Sequence, residues 1–173
     1  MVDKFHGIKI HVHDFAGHPF QAELSNELAK HGFYLLHSFF GHVGPTKALA
    51  EDIYGNGRIQ FKKITLNQEY EVSNLPRRIL FEVKMAIKLI IVHMNFRPNI
   101  TIFSNTPLIT ALIFRTFLPY TKFILWHQDI FFKAISLRFD LESTKIGFLR
   151  TLQTIIVEKF ERRLVVKSNK VIC

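Results

Sequence analysis

The chain has 173 residues, is 48% hydrophobic and 21% charged, and carries a net charge of +9. That composition excludes a disordered chain and is long enough for one domain with its own core. A lone cysteine, Cys173, excludes a disulfide framework and points to a reducing compartment.

The charge is unevenly placed. Residues 1–74 hold seven Lys/Arg against eight Asp/Glu, a net of −1, whereas residues 75–173 hold sixteen against six, a net of +10. A basic half faces either an anionic partner (nucleic acid, membrane, phosphate) or solvent. The N-terminus "MVDKFHGIKIH" has no apolar run of the signal-peptide kind. The greasiest stretch, "ILFEVKMAIKLIIVHM", is broken by Glu82, Lys84 and Lys88, which argues against a membrane span of roughly 20 apolar residues.

Along the chain, "IKIHVH" (8–13) alternates apolar and polar residues and predicts a strand. The loop "DFAGH" leads to Pro19 at the first position of a helix, where its missing N–H costs nothing. Phe20, Leu24 and Leu28 recur every four residues and predict the buried face of that helix, which Gly32 ends in a left-handed cap. "FYLLHSF" (33–39) is the next strand, completing a unit of βαβ size. "GPTKALAEDIYGNG" is turn-rich, with room for a short helix. "RIQFKKI" (58–64) is a strand, 75–95 a long helix opened by Pro76, and "NITIFSN" (99–105) a strand. Residues 107–118 form a helix opened by Pro107, and "KFILWHQ" (122–128) a strand. Helix 143–168 presents Ile146, Leu149, Leu152, Ile156, Phe160 and Leu164, and "KVIC" (170–173) begins a last strand. This alternation predicts a Rossmann-like three-layer α/β domain with a mainly parallel sheet. The chain stops within a strand, so it reads as a truncated or split reading frame.

Three histidines and an aspartate crowd residues 11–18. His11 and His13 share one face of the first strand, as in metal-dependent hydrolases whose strand carries an HxH pair. His18, His127 or Asp129 are the candidate third ligands, but no second histidine pair follows and a hydrolase barrel needs about 250 residues. The expectation is therefore no metal. The alternative is positional, because ligands of doubly wound sheets bind beyond the carboxyl ends of strands. There lie Gly17 and His18, Gly41 and Gly44, Asn105 and Thr106, and His127 and Asp129. Gly17 suits close backbone approach at a helix N-terminus, or simply a tight turn.

"HDFAGHPFQAELSNELAKHGFYLLHSFF" resembles the opening of family 4 glycosyltransferases of bacterial polysaccharide assembly, and "WHQDIFFKAI" and "FERRLVVKSNKVIC" are similar to later segments of the same N-terminal domain. The departures are "GFYLLH" in place of a Gly-His-Glu-Val pattern, and residues 46–72, which carry no segment recognisable from that family. The resemblance implies a GT-B enzyme with two Rossmann-like domains, of which residues 1–173 are the acceptor-binding one. The donor domain, with its glutamates eight positions apart, has no counterpart, since no two glutamates here have that spacing. It implies a retaining transfer from a nucleotide sugar to a glycan or lipid-linked acceptor, without metal or other cofactor, and no activity for this part alone.

In that frame Ala16-Gly17-His18 approaches the donor phosphates. His127 matches the family's histidine beside the reacting sugar, where it is the catalytic candidate; its plain reading is a side chain closing a strand end. Asp129 binds an acceptor hydroxyl or caps a turn. Trp126 and Phe131 offer a sugar platform or belong to the core.

On helix 75–95, Arg77, Lys84 and Lys88 form one narrow rib at 100° per residue, flanked by Phe81, Ile91 and Val92, with Ala86 and Ile90 facing the sheet. This suits peripheral contact with the inner face of the plasma membrane from the cytoplasm, a lipid-diphosphate acceptor, or water. Two further classes stay open: an acceptor-binding remnant without catalysis, and a metal-dependent hydrolase built on His11 and His13. Nucleic acid is not expected as a partner, because no reading motif accompanies the charge.

Overall fold

The computed structural model describes residues 7–15, 17–40, 57–67, 70, 74–127 and 148–173. In chain order the elements are β1 (Lys9–Asp14), α1 (Pro19–Lys30), β2 (Tyr34–Phe40), β3 (Ile59–Ile64), α2 (Leu75–Phe96), β4 (Ile100–Ser104), α3 (Leu108–Phe117), β5 (Lys122–Trp126), α4 (Phe148–Lys167) and β6 (Lys170–Ile172). The strands form one six-stranded sheet in the order β3-β2-β1-β4-β5-β6, every neighbouring pair parallel. This is the Rossmann-like α/β architecture that the strand–helix alternation predicts. The expected short helix within 44–57 falls largely, and Asp129 and Phe131 fall wholly, outside the described residues.

Strand alternation divides the core in two. Ile10 and Val12 of β1, Leu35 of β2 and Ile102 of β4 meet Ala29 of α1 on one face. On the other, Phe103 and Phe123 of the sheet pack with Phe81, Met85 and Leu89 of α2, Phe114 of α3 and Leu164 of α4. Phe81, Phe103, Phe114 and Phe123 are fully buried, each contributing about 1.5–3 kcal/mol.

Two helix faces differ from expectation. In α1 the buried residues are Gln21, Ala22, Ser25, Asn26 and Ala29, while Phe20 is exposed and Leu24 and Leu28 are half-buried. Small residues bring the helix close to the sheet, and two of the polar ones, Gln21 and Ser25, have partners there. Gln21 donates to Ser104 Oγ at 2.6 Å, and Ser25 Oγ lies 2.7 Å from His37 Nδ1. In α4 the core side is Val157, Glu161, Leu164 and Val165, so Leu152, Ile156 and Phe160 are about two-fifths exposed.

Glu82, buried on α2, joins three elements. Its carboxylate accepts from Arg78 Nε at 2.8 Å, from Tyr70 Oη at 3.2 Å and from the backbone N of Ile109 in the first turn of α3 at 3.2 Å. A carboxylate suits that turn, where N–H groups lack helical partners. Arg115 closes the opposite ends: its guanidinium donates to the carbonyls of Lys167 at 2.7 Å and Pro119 at 2.6 Å. Part of the basic excess is thus spent on holding helices together.

Candidate functional site at the carboxyl edge of the sheet

β1 pairs with β2 on one side and β4 on the other, so the order of connections reverses between β1 and β4. A crevice opens beyond the strand ends at such a reversal. Asp14 ends β1 there, fully buried and in register with Ser104 at the end of β4. Gly17 follows with φ +71°, a conformation that glycine adopts without strain, and His18 precedes α1 in extended backbone. Beyond Ser104, Asn105 is left-handed at φ +49°, and Thr106 Oγ1 donates to the Ser104 carbonyl at 3.2 Å.

The β1–α1 loop reaches the end of β5 through a row of rings. His18 stacks on Phe20 with centroids 5.2 Å apart and planes 9° from parallel, and Phe20 lies 5.7 Å from Trp126. Trp126 is partly exposed beside the crevice, not in the main core. His127 follows it, tied by its backbone N to the Ile172 carbonyl at 2.8 Å. Its Nε2 lies 2.7 Å from Glu161 Oε1 of α4. The structure therefore gathers Gly17, His18 and His127 along one edge.

His11 and His13 point into the layer between the sheet and α2 and are fully buried. Ser38 Oγ is 2.7 Å from His11 Nε2 and 2.9 Å from His13 Nδ1, and the Ser38 carbonyl is 3.2 Å from the same Nδ1. A carbonyl only accepts, so His13 carries its proton on Nδ1 and the hydroxyl donates to His11. Behind them His93 of α2, its ring 5.8 Å from that of His11, contacts Thr101 Oγ1 at 3.2 Å and Thr121 Oγ1 at 3.3 Å. Burial holds all four inward histidines in the neutral form: His11 titrates well below its ordinary value, His13 at about 3, and His37 and His93 at about 4. The charges of neighbouring histidines depress His11 further. Among the described residues no group of three His, Cys, Asp or Glu could hold a metal ion.

On α2, Arg77, Lys84 and Lys88 are exposed, and Lys88 Nζ donates to the Thr65 carbonyl beyond β3. Of the flanking residues expected, Ile91 is exposed and Val92 half-buried, but Phe81 belongs to the core; it turns inward to pack on Phe40 and Tyr70. The apolar surface beside the rib is instead Leu80, Ile87, Ile91 and Met94, each at least half exposed. No described helix is long and apolar enough to cross a membrane.

Sequence reasoning missed Gln21, Ser104 and Glu161, and gave Asp14 no role. Asp14 was detectable as the residue closing β1, whereas nothing local marks Glu161 as the neighbour of His127, 34 positions earlier. Comparison with protein-family models, curated proteins and solved structures gave no match for this chain.

Proposed function

We propose that residues 1–173 form the acceptor-binding domain of a GT-B glycosyltransferase, which moves a sugar from a nucleotide-sugar donor to a glycan or lipid-linked acceptor. The observation that carries this reading is the edge on which Gly17 and His18 join His127 across a parallel sheet, at the reversal of strand order. Ligands of this fold class bind at that place. His127 hydrogen-bonds a hydroxyl of the reacting sugars, and Asp129 contributes a second contact to the acceptor. Gly17 brings backbone close to the donor diphosphate.

In this reading the nucleotide is held by a second domain outside residues 1–173, so the isolated unit transfers nothing. Transfer requires donor and acceptor to be fixed together with cations on the leaving diphosphate. The α2 rib and its apolar margin rest on the cytoplasmic membrane surface and bring the edge to a lipid-linked acceptor.

The test is binding of a panel of glycans and lipid-diphosphate-linked glycans, followed by NMR. Shifts at Gly17, His18 and His127, and about tenfold weaker binding in His127→Ala, from one lost hydrogen bond, are expected. A second chain supplying the donor domain should then restore transfer. Tight binding of a nucleotide sugar to this chain alone, with no acceptor bound by any member of the panel, would overturn the assignment.

A further inference from the structure

Position 161 faces the core. It lies on α4 four residues after Val157 and three before Leu164, both of which pack against the central cluster. An apolar residue would suit that place, yet it holds a glutamate, 4% exposed. A buried carboxylate is costly unless hydrogen-bonded. The other glutamate of this stretch, Glu158, is a third exposed and pairs with Arg162 on the surface. One group that Glu161 meets is an imidazole: His127 Nε2 at 2.7 Å, on a side chain 14% exposed.

We infer that Glu161 is a positioning residue for His127. The carboxylate only accepts, so the imidazole donates from Nε2. The hydrogen bond fixes the ring plane at the end of β5, where the backbone N of His127 is itself anchored to β6. α4 thereby sets the orientation of a residue on the far side of a strand end. The consequence for sugar binding rests on the function proposed above; the pairing and its effect on His127 do not.

The experiment reads His127 without any sugar. Diethyl pyrocarbonate acylates unprotonated imidazole nitrogen, and peptide mapping gives the rate at each histidine. At neutral pH, Glu161→Ala, which removes the acceptor and frees Nε2, should speed acylation of His127 about threefold, whereas Glu161→Gln, whose amide oxygen still accepts, should keep the wild-type rate. The exposed His31 serves as the control whose rate does not change. In the wild-type chain the His127 ring N–H proton should appear at low field and exchange slowly with water, a signature that needs no variant. An equal rate in Glu161→Ala, a Glu161→Gln rate as fast as that of Glu161→Ala, or a ring proton in fast exchange would each overturn the inference. If His127 reactivity responds as expected but no glycan binds, the dyad stands and the functional reading falls.

Discussion

His11 Nε2 and His13 Nδ1 meet on one hydroxyl, that of Ser38, which donates to the first at 2.7 Å and accepts from the second at 2.9 Å. One serine on β2 thus orients two buried rings on β1. Ser38→Ala leaves His11 Nε2 without its donor and His13 with the longer carbonyl contact only. The expected loss is about 1–3 kcal/mol, read as a lower urea midpoint at unchanged slope. A midpoint equal to wild type would mean that the two rings find other partners.

Acid should unfold this domain early. His11, His13, His37 and His93 are neutral when folded but take up protons near pH 6.5 when unfolded. Protons bound only by the unfolded chain favour it, so stability is full above about pH 6.5 and falls as pH drops toward the folded-state values. Each such histidine contributes a slope of about 1.4 kcal/mol per pH unit. Four together exhaust a typical stability of about 5–15 kcal/mol within a few pH units. Thermal melts from pH 7.5 to 5 should show a steadily falling midpoint; a flat profile would contradict the buried neutral cluster.

Glu82→Ala should cost about 2–4 kcal/mol, somewhat less than a fully enclosed pair because Arg78 retains some contact with water. The substitution strips the Tyr70 hydroxyl and the first turn of α3 of their acceptor at the same time. Glu82→Gln should lose less, since an amide oxygen still accepts. Differential scanning calorimetry of the two variants decides this, and equal melting points would remove the role of charge.

Vesicle sedimentation checks the α2 surface. Changing Arg77, Lys84 and Lys88 to glutamine should weaken binding to anionic vesicles by about 1 kcal/mol per residue. Changing Ile87 and Ile91 to serine should weaken it further and leave the salt dependence in place. Equal sedimentation with neutral and anionic vesicles would sink the membrane contact.

The order of strands and helices was legible because apolar residues recur with the period of each element, and prolines and glycines mark the joins. The inward face of α1 was not. Gln21 and Ser25 are not among the apolar positions Phe20, Leu24 and Leu28, and their partners lie 83 positions away on β4 and 12 away on β2. Phe20 read as core for the same reason and instead lies on the surface between His18 and Trp126. Periodicity records hydrophobicity alone, so a polar residue satisfied by a distant strand escapes it. The candidate site was half visible: its loops follow from strand ends, but Glu161 is assigned only once α4 lies beside β5.

The central place of β1 bears on how the chain acquires its structure. β1 is made first, yet one of its two edges is completed only by β4, with Lys9 and Asn99 joined across 90 positions. At about 5–20 residues per second, a ribosome leaves that edge open for roughly 5–20 seconds. An open parallel edge carrying Ile10 and Val12 is a template for other chains. The nascent chain is therefore most exposed to misassembly after β3 has emerged and before β4 arrives, and a chaperone that shields residues 9–14 during that interval should raise the yield of folded protein.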